Sequence, residues 1–597
     1  MQYTNFRNIA SIHLHPLILE SLGLNHLIGT IILDSVSFDL YVKDAFFICK
    51  FSEMLIFRID KLKIVADSET NLDEKIIKNK KYLEDLFEDF ENLYFCLSLS
   101  FEEKCLFYGN FNKKNFKIEK TSESNKKTEL ESKNSNNETY NIEINEFVIN
   151  HKILNRKNLK KNTKNTKLLF GTVNCKTDSN LNANLITISR RSHLSLGTRF
   201  FNRGISLPSL FPTNCAETEV LVLEGDLIHS YLQLRGSIPF IWRQRIGVAY
   251  NPKIEIGGSN IDINKITDNN KELDLEIFKK LDLNKTYELD QKNIFINFLI
   301  KLLNFILNIF SLKKNDIFLG FNRKNSTKIE INQKIFQNYD KYLSKKYGKI
   351  LYLNLIKNYK EEKELYEEYL KIFKHSKNKN NVNFLCYDIK KLKDSVPLFI
   401  EKVIKSKAYF INNNSQNLIY KNKDEFFEYQ FNKINTKDYS TFKKLNFQLE
   451  ILRKQSQIIR TNCVDSSDRT TAAQIQFAVN FYDSVINKGN NSKKVEKLIL
   501  DSGKLLSIQY TGTECLLYSF TRDRYDLIGD FIKSIKRYFI NRYLIAKRQD
   551  SYDYLSGRYL EVKSNYNNNG EYRNIILRFF VFGWILDILK FKYPCFC

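Results

Sequence analysis

Proline and glycine, the residues that punctuate a backbone most sharply, are scarce: seven and twenty in 597 residues. Asn and Lys tracts fill the loops instead, so part of the basic charge is read as compositional. The ten cysteines are scattered, with no C-x-x-C pair and no His/Cys cluster at zinc-ligand spacing. That excludes a disulfide framework and points to a reduced, cytosol-facing chain. A basic N-terminal region followed by an apolar run is missing too, so no signal peptide is expected. Internal repeats are absent. Uninterrupted apolar runs are short: in residues 575–593, Arg578 and Asp587 leave an apolar core too short to span a bilayer. That stretch reads as a shallow anchor, a docking helix or a degraded span, with Cys595 and Cys597 beside it open to acylation. Residues 294–312 carry Asn297, Lys301, Asn304 and Asn308 on one helical stripe. A core helix and an interfacial helix both fit, and Lys301 argues against a span.

What is present is a chain long enough for several domains, or for one large domain with insertions. Its 43% hydrophobic content supports a sizeable core. The net charge of +25 implies anionic partners: nucleic acid, an acidic leaflet or phosphorylated substrates. Apolar runs at Leu27–Leu33, Phe38–Val42 and Ala45–Phe51 predict antiparallel strands, and Tyr82–Phe90 an amphipathic helix. Residues 111–141 read as a disordered insertion, residues 155–167 as a solvated basic loop, and residues 257–293 as a further polar insertion. Further strands are predicted at Leu185–Ser192, Glu217–Leu223 and Lys349–Ile356, with strands or tight connections over Tyr231–Trp242.

One stretch organises the rest. Residues 459–470 read Ile-Arg-Thr-Asn-Cys-Val-Asp-Ser-Ser-Asp-Arg-Thr, placing Cys463 and Arg469 at C-x5-R spacing with Thr470 behind. Five intervening residues can wrap once, so that backbone N–H groups form an anion nest. The arginine fork can then grip two phosphate oxygens above a thiolate. N–H groups, arginine and helix start should lower the Cys463 pKa. Gln455–Arg460 predicts the strand before the loop. Ile475, Ala478, Val479, Tyr482 and Ile486, at helical spacing, predict the helix behind it, with its sequence running from Thr471. For the bare spacing a buried structural cysteine beside a solvated turn is the preferred reading, and the flanking strand and helix shift it toward a phosphate loop.

The surrounding blocks resemble the Sac family of phosphoinositide phosphatases. The family signature R-T-N-C-x-D-C-L-D-R-T-N is matched by R-T-N-C-V-D-S-S-D-R-T-T at Arg460–Thr471. Ser189–Ser192, Gly197–Arg199 with Arg203-Gly204, Asn214–Glu219, Gln233–Trp242, Ser507–Thr513 and Arg548–Ser551 are similar to further family blocks, in family order. The resemblance covers most of residues 25–560. It implies an α/β (α+β overall) fold: a β-rich subdomain over residues 1–160 packed on a catalytic subdomain over 161–560, with an insertion at about 257–320 and a tail from 561 to 597. It also implies hydrolysis of inositol-ring phosphates without metal or cofactor. The implied partners are phosphoinositide lipids of an anionic leaflet and no nucleic acid. The implied location is the cytosolic face of an intracellular membrane, endoplasmic reticulum/Golgi or endosome.

The roles follow from the chemistry such a reaction needs. Cys463 is the expected nucleophile. Arg469 and the backbone of Val464, Ser466, Ser467, Asp468 and Thr470 are expected around the phosphate. No histidine lies near the loop, so Asp465 is the expected general acid and then base. Asp468 is expected to order the loop or balance Arg469. Thr470 is expected to donate to the sulfur or cap the helix. Arg190 with Arg191, and Glu217 with Glu219, are expected in ion pairs or structural positions. The substrate expected from the Gln509–Thr513 block is phosphatidylinositol 4-phosphate. Cys463-Val-Asp465 and Ala472-Ala-Gln474 also fit the 3,5-bisphosphate-acting type. Ser466 and Ser467 replace the family's Cys and Leu, which leaves a weakened, lipid-binding scaffold open. A protein tyrosine phosphatase shares the C-x5-R spacing but requires a separate acid loop.

Overall fold

The structure is a computed structural model. It describes residues 13–14, 25–33, 36–51, 54–66, 74–88, 92–96, 146–154, 163–178, 183–199, 203–206, 210–224, 227–244, 254–257, 325–374, 382–387, 416–420, 449–453, 455, 457–486, 492–516, 527–541 and 545–558. The expected insertions at 111–141 and 257–320, the apolar stretches at 294–312 and 575–593, and the tail from 561 lie outside the described residues (save Gly257).

Twelve strands form the path of one mixed sheet. In chain order they are β1 (Asn25–Leu33), β2 (Val36–Phe51), β3 (Met54–Ala66), β4 (Leu93–Cys96), β5 (Thr163–Asn165), β6 (Leu169–Asp178), β7 (Ala183–Arg191), β8 (Ala216–Glu224), β9 (Leu227–Arg235), β10 (Lys349–Asn354), β11 (Val382–Cys386) and β12 (Gln457–Asn462). Across the sheet they run β11-β10-β12-β9-β8-β7-β6-β4-β3-β2-β1-β5. Strands β11, β10, β12 and β9 are mutually parallel, whereas β9 through β1 form an antiparallel meander. The two regions expected as subdomains therefore share a sheet, joined where Leu93 pairs with Phe170.

The sequence predicts strands near β1, β2, β7, β8, β9, β10 and β12 but not β3, β4, β6 or β11, and the observed lengths differ for physical reasons. The two runs expected at Phe38–Val42 and Ala45–Phe51 are a single strand, whose register shifts around Asp44 let the polar residue stay inside it. The basic tract at 155–167 is not wholly a loop. Thr163–Asn165 pairs parallel with Asn25–Leu27, because Asn150 ties this edge together: its Nδ2 donates to the Ile28 and Thr166 carbonyls, and its Oδ1 accepts from the Leu168 N–H.

Eight helices flank the sheet among the described residues: α1 (Glu74–Phe87), α2 (His151–Leu154), α3 (Asn325–Tyr347), α4 (Lys363–Lys374), α5 (Asp468–Ile486), α6 (Ser492–Thr511), α7 (Leu527–Phe539) and α8 (Ile545–Ser556). α1 begins well before the expected Tyr82 and buries Leu83, Leu86 and Phe87. α5 buries Ile475, Ala478 and Tyr482, as their spacing predicts. It starts at Asp468, earlier than expected, so Arg469 lies in its first turn. α8 returns to the N-terminal region, where Tyr552 and Leu555 join Ile28, Phe57 and Phe170 in one core cluster.

The paired arginines of β7 and the glutamates of β8 are interior. Arg190 is buried, with Nη1 3.3 Å from Glu219 Oε2 and 3.6 Å from Glu217 Oε1. The ion pairs expected for it exist, but inside the sheet rather than on its surface. Arg191 is also buried and makes no such pair among the described residues. It donates to Gln509 Oε1 (3.5 Å) and the Gly197 carbonyl (3.4 Å), and lies over the rings of Phe170 and Tyr552.

Candidate active site

Cys463 follows β12 directly, at the C-terminal end of the parallel half of the sheet, and α5 starts five residues later. That edge of a parallel sheet is where side chains from several strands converge. Neighbouring strands bring Leu355 and Glu362 from the end of β10, and Arg235 from the end of β9. β7 and β8 run antiparallel with Arg191 opposite Ala216, so the segment after β7 and the residues before β8 meet there too. Arg199, Arg203 and Asn214 come from those segments.

The loop carbonyls are clamped from outside. Arg203 Nη1 donates to the Val464 carbonyl (3.0 Å), Asn214 Nδ2 to that of Asp465 (3.1 Å), and Arg235 Nη1 to that of Ser466 (3.4 Å). Across a trans peptide the next N–H points away from the carbonyl. The N–H groups of Asp465, Ser466 and Ser467 are therefore turned away from the clamps, and the Asp465 backbone reaches the Cys463 sulfur. Ser466 takes a left-handed φ of 47°, an uncommon conformation for a side-chain-bearing residue. Its hydroxyl donates to the Gly236 carbonyl. Ser467 donates to Ser507 Oγ of α6 at 2.9 Å. α6 comes this close because Gly503 faces Thr471: a Cβ there would stand 2.2 Å from Thr471 Cγ2.

Cys463 is fully buried. Its thiol donates to Asp465 Oδ1 (3.3 Å) and its sulfur accepts from Thr470 Oγ1 (3.4 Å). Its pKa moves opposite to the sequence expectation. Burial pushes it up, the Asp465 charge adds to that, and Arg469, the Thr470 hydroxyl and the Asp465 N–H offset it only in part. The cations implied by the spacing are present, but burial and the carboxylate two residues on outweigh them.

Asp465 is the reverse case. Burial alone would raise its pKa, but Arg199, Arg203, Arg469 and Arg537 together hold it well below the usual carboxylate range. Arg199 Nη2 is 3.4 Å from Asp465 Oδ2. Burial in turn lowers Arg199 to about 10, against the pull of Asp465. In this state Asp465 is a proton acceptor beside the thiol, not yet an acid.

Arg469 points its Nη1–Nη2 fork at Glu362, at 2.8 and 2.9 Å, and Nη1 also donates to the Leu355 carbonyl at 3.0 Å. Asp468 does not balance Arg469. Its carboxylate takes Arg537 Nη1 (2.9 Å) and Nη2 (3.2 Å) from α7, and the Leu516 N–H at 2.8 Å. Asp468 thus orders the loop, through a partner that spacing did not suggest.

The structure brings Cys463, Asp465, Thr470 and the loop backbone together. It adds Glu362, Arg203, Asn214, Arg235 and Arg537, to which the sequence reading gave no role. Arg203, Asn214 and Arg235 stand inside the resembling blocks, which was the available signal. Glu362 and Arg537 had none. Among the described residues, no group of three or more His, Cys, Asp or Glu is placed to hold a metal ion, and no helix is long and apolar enough to cross a membrane.

A strand, a clamped cysteine loop and a helix thus meet at one sheet edge, ringed by arginines. Residues 25–300 match the family model of the SacI homology domain. It is 21% identical over 390 residues to phosphoinositide phosphatase SAC7 of Arabidopsis thaliana, an overlap of 62% of this chain and 49% of that protein. It is 24% identical over 410 residues to phosphatidylinositol-3-phosphatase SAC1 of Saccharomyces cerevisiae, covering 64% and 50%. With the yeast polyphosphatidylinositol phosphatase INP53 the identity is 24% over 405 residues, covering 63% and 27%. The chain thus spans about half the length, or less, of these curated relatives.

Proposed function

We propose that the chain is a phosphoinositide phosphatase, a phosphoric monoester hydrolase that removes an inositol-ring phosphate through a cysteinyl-phosphate at Cys463. The observation that carries this is the set of clamps on the Val464, Asp465 and Ser466 carbonyls, which turns successive N–H groups away from Arg203, Asn214 and Arg235. Such a preformed nest binds the equatorial phosphate oxygens without reorganising. The names of the relatives support the lipid substrate.

The proton inventory suits the two steps. The Cys463 thiol passes its proton to Asp465, and the thiolate attacks phosphorus in line. The P–O bond to the ring breaks, and Asp465 returns that proton to the leaving oxygen. A phosphate dianion among Arg199, Arg203 and Arg469 neutralises the charges that depress Asp465, so docking itself raises its pKa toward that of a working acid. Asp465 then takes a proton from water, which attacks phosphorus. The P–S bond breaks, with Thr470 donating to the departing sulfur. The backbone of Val464, Ser466, Ser467, Asp468 and Thr470 lines the phosphate, and Arg469 offers its Nε–Nη2 edge while Glu362 holds the other.

Phosphatidylinositol 4-phosphate is the proposed substrate, on the cytosolic face of an intracellular membrane. The 3,5-bisphosphate is the second reading, favoured by Arg199 and Arg203 beside Asp465, which supply charge beyond Arg469. Phosphate release from vesicles of each lipid, comparing the wild type with Cys463→Ser, tests both. Release from one lipid alone selects the substrate, and equal release by wild type and variant overturns the mechanism.

A further inference from the structure

Helix α7 is built inside out. Its inward side is polar: Arg537 is buried and donates to Asp468, to Thr513 Oγ1 (2.8 Å) and to the Glu514 carbonyl (2.7 Å). Asn541, just past its end, is buried and donates to the Thr511 carbonyl at 2.7 Å. Its outward side is apolar. Phe531, Ile532 and Ile535 are 66%, 38% and 43% exposed. At about 100° per residue these three form one stripe, and Arg537 falls roughly opposite it. A surface helix normally shows the reverse arrangement. Of the large apolar side chains exposed among the described residues, Ile77, Tyr82 and Tyr359 are the others, none of them on this helix.

We infer that the outer face of α7 is the membrane-docking surface of this chain, and that its occupant is an anionic lipid leaflet. Three observations select lipid over a protein partner. Besides the buried Arg537, residues 527–548 carry Lys533, Lys536, Arg542, Lys547 and Arg548 against Asp530 alone. Lys536 stands exposed on the flank of the stripe, beside Ile532 in helical projection. The whole chain is basic at +25. An apolar stripe with basic flanks lies in a headgroup layer with the apolar side chains at the acyl boundary. The third observation is position: the helix is bolted to the catalytic loop through Arg537 and Asp468. Seating α7 in the leaflet sets the height of Cys463 over lipid headgroups, and in this respect the inference rests on the proposed lipid substrate.

The test pairs Phe531→Asp with Ile535→Asp in the full chain. Both residues are exposed, so the thermal midpoint should match the wild type and report intact folding. Co-sedimentation with phosphatidylcholine/phosphatidylserine vesicles that contain no phosphoinositide should fall roughly tenfold or more in the double variant. Hydrolysis of vesicle-borne phosphatidylinositol 4-phosphate should fall with it, while hydrolysis of a water-soluble short-chain analogue stays unchanged. Unaltered vesicle binding overturns the inference and leaves the phosphatase reading standing. Lost vesicle binding by a chain that hydrolyses neither lipid supports the inference and overturns that reading instead. A wild-type dimer by light scattering that the double variant converts to monomer would assign the face to a second copy and overturn the lipid assignment.

Discussion

Glu362 holds Arg469 by both Nη atoms, at 2.8 and 2.9 Å, from a turn that follows β10 rather than from the cysteine loop. Lys360, at φ 53°, bends the chain to bring the carboxylate round. A guanidinium held on one edge presents its other edge in a fixed plane, and geometry of that kind is worth more than charge at a phosphate. Glu362→Gln keeps one hydrogen bond and removes the charge. It should lower kcat by roughly ten- to a hundredfold with a smaller change in KM, and Glu362→Asp should recover part of the loss. Steady-state kinetics on a short-chain phosphoinositide checks this. Faster turnover in Glu362→Gln would mean the carboxylate competes with phosphate instead of positioning the arginine.

The resting thiol leads to a second expectation. Burial and Asp465 raise the Cys463 pKa, so the free protein holds it as a thiol at neutral pH. Asp465→Asn removes the neighbouring negative charge, which shifts the pKa down. Thiolate absorbance, read as the difference between each protein and its Cys463→Ser counterpart, should begin at lower pH in Asp465→Asn than in the wild type. Turnover of the same variant should fall by about two to four orders of magnitude, the range for losing a general acid. A more ionised nucleophile in a slower enzyme separates the two roles; an unchanged titration would remove Asp465 from the environment of the sulfur.

Most strands and the organising loop were legible, because period-2 and period-3.6 patterns survive in β8, β10, β12 and α5. The parts that were not legible are long-range. Arg537 and Asp468 are 69 residues apart and Glu362 and Arg469 are 107 apart, so no local spacing links them. Burial of charge was equally hidden. Arg190 and Arg191 look like a surface pair until the sheet places Glu217 and Glu219 beside the first and the Phe170 and Tyr552 rings beside the second. The sign of the Cys463 shift failed for a related reason: it depends on a balance between burial and cations that only coordinates weigh.

Asp550 of α8 offers a stability test away from the loop. Burial, with Asp553 nearby, pushes its carboxyl up to about 7. Its ordinary unfolded value is about 3.9, so the folded state binds the extra proton between those values. Stability from this group is therefore fully present below about pH 4 and is lost as pH rises through about 7. Asp550→Asn cannot ionise and should escape the loss. Its thermal midpoint should exceed that of the wild type at pH 8 and converge with it at pH 4.5. A constant difference across that range would show that Asp550 does not titrate in the window.

Ser466 and Ser467, where the resembling family carries Cys and Leu, decide whether the loop is degraded or rebuilt. Both hydroxyls are used: Ser466 bonds the Gly236 carbonyl, and Ser467 bonds Ser507, which Arg537 also contacts at 3.4 Å. Ser466→Cys is nearly isosteric and exchanges one hydrogen bond for a weaker one, so it should cost about 1 kcal/mol or less and leave kcat close to wild type. Ser467→Leu is different. It removes a partner of the buried Ser507 and adds volume where α6 already touches the loop, so it should destabilise by about 2–4 kcal/mol and lower turnover. Ser467→Leu combined with Ser507→Ala removes the hydroxyl that faces the new leucine and some of the crowding, and should recover part of that loss in a double-mutant cycle. Such coupling, read by denaturant unfolding and phosphate release on the same four proteins, would mean that the serines belong to a working loop packed against its own second layer. Additive effects, or higher turnover in Ser467→Leu, would instead mark position 467 as the place where activity has been given up.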